Sequence, residues 1–103
     1  MSEIVTDVDQ TTVKPGEDVV ASMAEGFKGE LLSAVNASQG NLVIDLGGVS
    51  MVDSVGIGVI IAAYNSLSQS NRQLKVINVA QDIYGLFSTM RLNRRFTVEA
   101  AQD

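Results

Sequence analysis

The chain has 103 residues, a length that suits one compact domain with a single core. Hydrophobic residues make up 46% of the sequence and charged residues 18%, a balance that argues against an intrinsically disordered chain. The net charge of −5 weighs against direct binding of nucleic acid, because phosphate backbones are bound mainly by Lys and Arg.

The sequence contains neither His nor Cys. Imidazole bases, Ser-His-Asp triads, Cys nucleophiles and the usual zinc ligand sets are therefore excluded, and we expect a protein that is not an enzyme. No apolar run approaches the roughly 20 residues of a membrane-spanning helix. The start of the chain, Met1 to Glu3, lacks the basic and apolar regions of a signal peptide. We expect a cytoplasmic protein without membrane insertion.

In chain order, the first predicted elements are two short strands, Ile4–Asp7 and Thr11–Lys14, which form a hairpin around a turn at Val8–Gln10. Pro15 and Gly16 end the second strand, because proline cannot donate to a sheet and glycine favours a turn.

The first helix is predicted over Val20–Asn36, where apolar residues recur at spacings of three and four. Ser22 and Glu25 have the spacing of a capping box near its start. A loop at Ala37–Gly40 follows. The next segment, Asn41–Leu46, contains a continuous apolar run, which is typical of a strand buried on both faces.

A second helix is predicted from Asp53 and Ser54 to the polar run Ser68–Gln73. One apolar stripe runs along it, formed by Ile57, Ile60, Ile61, Tyr64 and Leu67. Gly56 and Gly58 are unusual in its first turns, since Gly costs about 1 kcal/mol relative to Ala inside a helix. Tight packing against the neighbouring strand and close approach of a partner's backbone both explain them.

The remaining predicted elements are a strand at Leu74–Val79, a helix from a cap at Asp82 to Met90, and a terminal strand at Phe96–Val98. The inward residues of this helix are expected to be Ile83, Leu86, Phe87 and Met90. The polar tail Glu99–Asp103 is expected to fray.

This alternation of strands and helices predicts a single α/β domain over residues 1–103. Its mostly parallel mixed sheet would have about five strands, with three to four helices packed on it and an N-terminal hairpin. Sites in such sheets collect at the carboxyl ends of the strands. Ser54, Asn78, Asp82 and the segment Pro15–Ala21 are therefore expected on one surface.

Ser54 is the residue of greatest interest. The first N–H groups of a helix lack intrahelical partners and the helix dipole is positive at that end, so a phosphate on Ser54 would be stabilised there. Asp and Ser are also ordinary residues for opening a helix in any protein. Regulatory phosphorylation and a purely structural cap are thus both consistent with the residues alone.

The run from Leu42 to Ile60 resembles the central segment of the STAS family, the anti-sigma factor antagonists, and the similarity extends from about Ile4 to Val98. Segments similar to the family's also occur at Pro15–Asp18, Leu74–Val79, Ile83–Phe87 and Met90–Leu92. In that family the Ser or Thr after the Asp is phosphorylated, which implies that Ser54 is the phosphoacceptor. Many members carry a second Ser or Thr at the next position, where this chain has Val55.

The resemblance implies a partner switch. The unphosphorylated form would bind an anti-sigma factor or serine kinase of the histidine-kinase-like ATPase fold, which then releases its sigma factor or other client. Phosphorylation of Ser54 would abolish binding, and a PPM-type serine phosphatase would restore it. The expected partner-binding residues are Asp18, Asp53, Val55, Gly56, Ile57, Gly58, Asn78 and Asp82.

Two other functions remain open. STAS domains also serve as accessory subunits of lipid-transporting ABC machines or as docking pieces of signalling assemblies, without phosphorylation. A module that senses a nucleotide or small metabolite at the same helix N-terminus is the third possibility. It is disfavoured because Gly56-x-Gly58 lacks the third Gly of a dinucleotide fingerprint and the chain has no P-loop string. We expect no cofactor and no metal, since Asp18, Asp53 and Asp82 are scattered acids of an acidic protein.

Overall fold

The computed structural model describes residues 2–37 and 39–102, and within them one five-stranded sheet carries three α-helices. The strands are β1 (Glu3–Thr6), β2 (Gln10–Lys14), β3 (Asn41–Asp45), β4 (Leu74–Val79) and β5 (Thr97–Ala100). The helices are α1 (Ala21–Ala37), α2 (Ser54–Ser68) and α3 (Gln81–Thr89), followed by a 3-10 turn at Leu92–Arg94. The predicted α/β fold is confirmed.

The strands lie side by side in chain order, from β1 to β5. β1 is antiparallel to β2, as the predicted hairpin requires, and every later pair is parallel. Crossovers between parallel strands are right-handed in almost all proteins, and between consecutive neighbours this hand places each connecting helix on the same face of the sheet. The buried residues of all three helices accordingly belong to one cluster, whereas Val43, which is also buried, lies outside it on the opposite face.

The core lies between the sheet and its helical layer. Strand register aligns Val13, Ile44 and Val76 across β2, β3 and β4, and all three are fully buried. Phe27 and Leu31 of α1 belong to the same cluster, together with residues from α2 and α3. Burying a side chain of this size contributes about 1.5–3 kcal/mol, so this layer supplies most of the stabilisation.

The third helix differs from its prediction. Its N-cap is Ala80, which makes no side-chain capping bond, and Asp82 lies exposed in the first turn, so the predicted cap is wrong. Leu86 and Met90 are 37% and 45% exposed and do not point inward. A helix of nine residues packed on one sheet edge buries a narrow stripe, and the apolar residues beyond that stripe face solvent.

The final strand is longer than predicted. β5 extends to Ala100, because its parallel pairing with β4 continues past a register shift between Val76 and Val79. Glu99 is therefore part of the sheet, and its carboxylate lies 3.1 Å from Lys75 Nζ. Two positions of the predicted loop and tail, Ser38 and Asp103, lie outside the described residues.

In the part of the chain that the structure describes, no helix combines the length and apolarity needed to cross a membrane.

Candidate functional site around Ser54

Ser54 is the first residue of α2, and its side chain is exposed. Its hydroxyl has no hydrogen-bond partner among the described residues. The hydroxyl is therefore accessible, and no hydrogen bond to the described residues restrains it.

Asp53 caps two helices at once. As N-cap of α2 it has an extended backbone, and its Oδ1 accepts a hydrogen bond from the Gly56 N–H at 2.9 Å. Its Oδ2 accepts from the N–H of Ala21, the first residue of α1, at 3.0 Å. The bonds from Gly56 and Ala21 favour the charged form and hold the pKa of Asp53 below its ordinary value, so this carboxylate is ionised at neutral pH.

This second bond corrects the prediction for α1. The helix begins at Ala21 and not at Val20. Its N-terminal N–H group, that of Ala21, is capped by Asp53 from a distant loop, whereas a capping box of Ser22 and Glu25 was predicted. An N-cap supplied from 32 residues away leaves no local pattern that sequence reasoning could detect.

Asp18 also links the loop before α1 to the loop before α2. Its Oδ1 accepts from the N–H groups of Ser50 at 2.8 Å and Met51 at 3.1 Å. Between the carboxylates, the Val19 N–H donates to the Met51 carbonyl at 2.9 Å and the Asp53 N–H donates to the Val19 carbonyl at 3.2 Å. We call these two segments, residues 18–21 and 50–53, the loop clamp. It fixes the start of α2 and hence the position of Ser54.

The two glycines of α2 have different surroundings. A Cβ on Gly56 would lie 2.2 Å from the Val19 carbonyl oxygen, so this buried glycine allows close packing of the first turn on the loop clamp. A Cβ on Gly58 would meet no atom within 4 Å, and Gly58 is exposed. Ile57 is only 3% exposed and belongs to the core. These placements correct the expectation that Gly56 and Ile57 present a contact surface.

Exposed apolar side chains flank the hydroxyl. Met51 is 56% exposed and Val55 is 48% exposed, on either side of Ser54 in sequence. A groove of about 470 Å³ between α1 and α2 continues from Val55 past Gly58 and is lined mostly by small or apolar residues. We call Met51, Ser54, Val55, Gly58 and this groove the Ser54 face. Exposed apolar side chains and a mostly apolar groove thus surround the hydroxyl.

Asn78 is the penultimate residue of β4, Asp82 lies in the first turn of α3, and both are exposed. The Asn78 side-chain amide donates to Asp45 Oδ1 at 3.0 Å, and the Gly47 N–H donates to the same oxygen at 2.8 Å. Within residues 2–37 and 39–102, no hydrogen bond or ion pair joins Asn78 or Asp82 to the loop clamp. Their contacts show a structural role for Asn78 and leave Asp82 free on the surface.

The acidic residues that the structure describes show no grouping suited to a metal. Over the described ranges, no group of three or more Asp or Glu side chains is placed to hold an ion. The carboxylates of Asp18 and Asp53 face backbone N–H groups, which are donors and repel a cation.

Comparison with known proteins gives consistent results. The family model of the STAS domain matches residues 2–102. A search of curated protein sequences found no significant match. Among solved structures, a putative anti-sigma factor antagonist from Thermotoga maritima has a TM-score of 0.88 at 19% identity, covering 95% of this chain and 85% of that chain.

Two further solved structures have the same fold. An anti-sigma factor antagonist from Mycobacterium paratuberculosis has a TM-score of 0.81 at 19% identity, covering 96% of this chain and 84% of that chain. The Bacillus cell fate determinant SpoIIAA in its phosphorylated form has a TM-score of 0.75 at 14% identity, covering 95% and 90%. At these identities the likeness shows the shared fold.

Proposed function

The chain belongs to the STAS domain family, and we propose that it is an anti-sigma factor antagonist that works by partner switching. In the unphosphorylated state, the Ser54 face binds an anti-sigma factor or serine kinase of the histidine-kinase-like ATPase fold. That partner then releases its sigma factor or other client. Phosphorylation of Ser54 ends the binding, and a PPM-type serine phosphatase restores it.

The observation that carries this proposal is the exposed hydroxyl of Ser54, which has no hydrogen bond to the described residues and lies at the start of a fixed helix. A kinase can reach this oxygen without unfolding the domain. The exposed side chains of Met51 and Val55 beside it would lose contact with water when a partner covers them, which favours association. One small surface thus combines a docking area and a modifiable group. The similarity to SpoIIAA, solved in a phosphorylated form, supports the same assignment.

A phosphate on Ser54 would act on the interface more than on the fold. The positive end of the α2 dipole tolerates added negative charge. The Gly56 N–H is already engaged by Asp53, however, so the phosphate would face outward beside an ionised carboxylate. It adds about −1.5 to −2 charges at the centre of the contact surface. A binding loss of about 3 kcal/mol is enough to weaken the complex more than 100-fold.

Ser54→Asp tests the switch, with Ser33→Asp as the matched control on an exposed part of α1. The cognate kinase is first identified in native lysate as the ATP-dependent activity that labels the wild-type chain. We expect Ser54→Asp to keep a cooperative thermal transition and to bind this kinase at least about 100-fold more weakly. Ser33→Asp should bind like wild type. An unfolded Ser54→Asp chain would show that the site is structural.

Ser54→Ala tests the phosphoacceptor itself. This variant should bind the kinase and take up no label from kinase plus ATP, because it lacks the reacting oxygen. Label on another residue of the variant would contradict the assignment.

A docking role without phosphorylation is the second candidate, because the exposed apolar residues of the Ser54 face would serve it equally well. The intact mass of the protein from its native cells separates the two. Substoichiometric phosphate on Ser54 supports the switch, whereas tight co-purification of an unmodified chain with a membrane ATPase supports docking. Ligand sensing at the α2 N-terminus is less favoured, since Asp53 already takes the N–H groups of Gly56 and Ala21.

A further inference from the structure

A second surface feature lies at the opposite end of α2 from Ser54. It is an open cleft of about 680 Å³, where β4 and β5 begin and where α2 ends. The residues of α2 that line the cleft, Tyr64 and Ser68, follow Ser54 by 10 and 14 residues, so at about 1.5 Å per residue roughly 15–21 Å of helix separates them from Ser54. The cleft is therefore distinct from the Ser54 face.

The charge of the cleft is opposite to that of the protein. Three of the seven basic residues line it, Arg72, Arg94 and Arg95, and none of the acidic residues that the structure describes does. In a chain with a net charge of −5, this sorting creates a local region of positive potential. Such a region attracts anions while the rest of the surface repels them.

Several donors of the cleft have no internal role. Within the described residues, the guanidinium groups of Arg94 and Arg95 form no hydrogen bond or ion pair, and neither do the hydroxyls of Tyr64 and Tyr84. Arg72 is held in place, because its Nη1 donates to the Val35 carbonyl at 2.9 Å. Guanidinium groups bind phosphate or carboxylate with two parallel hydrogen bonds, so unpaired arginines beside a fixed one suit an anionic group.

The cleft also provides flat aromatic surface. Tyr64 and Tyr84 are half-buried in its wall. The ring of Tyr64 packs on Phe96 with centroids 5.5 Å apart, and Phe96 is anchored edge-on against Phe87 at 6.5 Å. This packing holds the Tyr64 ring in place beside the arginines, where a planar ligand could contact it.

We propose that this cleft binds a small organic phosphate that carries a flat ring, with the phosphate on Arg94 and Arg95 and the ring against Tyr64 and Tyr84. The volume lies within the range of about 300–1,000 Å³ typical of ligand sites. Ligand binding in this cleft does not require phosphorylation of Ser54, so an experiment on the cleft leaves the proposed switch untested.

The two tyrosines make a selective probe. The chain has two Tyr and no Trp, and both tyrosines line the cleft. Protein labelled with 3-fluorotyrosine should give two fluorine NMR resonances, each reporting on this cleft. The full chain is titrated with AMP, phenyl phosphate, inorganic phosphate and adenosine. We expect saturable shifts of both resonances with AMP or phenyl phosphate, and weaker binding of inorganic phosphate and of adenosine.

Arginine variants connect these shifts to the cleft. The double variant Arg94→Gln/Arg95→Gln should bind AMP at least about tenfold more weakly, since it lacks both unpaired cations. Arg91→Gln is the matched control, because Arg91 is a nearby exposed arginine that does not line the cleft, and it should bind within about twofold of wild type. All three arginines are exposed, so the variants should unfold at the wild-type temperature.

Three results would overturn the proposal. The first is the absence of any saturable shift at millimolar AMP and phenyl phosphate. The second is equal affinity of the double variant and Arg91→Gln. The third is binding of adenosine, or of inorganic phosphate, as tight as that of AMP, because the phosphate or the ring would then play no part.

Discussion

Replacement of Gly56 by Ala tests the close contact that positions Ser54. In an ordinary helix this change is favourable by about 1 kcal/mol. Here the new Cβ would lie 2.2 Å from the Val19 carbonyl oxygen and 2.9 Å from Val19 Cγ1. To restore even a 3.0 Å separation, the carbonyl must retreat by at least 0.8 Å (3.0 minus 2.2). The neighbouring atom is backbone, which cannot move aside as the end of a flexible side chain can.

The cost follows from what this retreat disturbs. The Val19 carbonyl accepts a 3.2 Å hydrogen bond from the Asp53 N–H, a bond that is already long. Overpacking costs about 1–3 kcal/mol and the loss of a hydrogen bond about 1 kcal/mol, against which the gain in helix propensity is about 1 kcal/mol. We therefore expect Gly56→Ala to lower the free energy of unfolding by about 1–3 kcal/mol. The melting temperature of a domain of this size falls by about 4–8 °C per kcal/mol.

Gly58→Ala is the matched control two residues along the same helix. Its Cβ would meet no atom within 4 Å, so only the propensity gain remains and the variant should be up to about 1 kcal/mol more stable than wild type. Urea unfolding followed by far-UV circular dichroism measures both values. If Gly56→Ala is as stable as wild type, or if both variants shift in the same direction, the packing argument for Gly56 is refuted.

The remaining predictions concern Asp53 and Asn78. The folded-state pKa of Asp53 is depressed, so its contribution is present above the unfolded carboxyl pKa of about 3.9 and is lost as pH falls through the folded value. Urea unfolding across this acid range should show a smaller pH dependence for Asp53→Asn than for wild type, and equal slopes would contradict the capping role. Asn78 has a left-handed backbone with φ of 56°, so Asn78→Ala should lose about 1–2 kcal/mol while Asn78→Gly loses less. Thermal unfolding compares the pair, and an alanine variant at least as stable as the glycine variant would exclude backbone strain at this position.

Much of the fold could be predicted because it has a local cause. The apolar run at residues 42–44 and the periodic apolar residues of α1 and α2 each indicate their element within a short window. The exposed position of Ser54 follows from the preference of Asp and Ser for helix starts. The prediction that Leu86 of α3 and its C-cap Met90 point inward failed. Both have helical spacing from the buried residues Ile83 and Phe87, yet both are exposed. Periodicity identifies an apolar face and cannot measure how much sheet is available to cover it.

Local residue chemistry thus accounts for where each helix and strand occurs and for the serine that opens α2. It does not reveal which distant segments meet. The bond from Asp53 to Ala21 spans 32 residues, and the fit of Gly56 against Val19 depends on the same pairing of loops. The cleft likewise brings together Arg72, from the loop before β4, and Arg94, from the segment before β5. Such contacts arise when the core forms and brings separate loops together, because packing acts between segments that share no pattern in the chain.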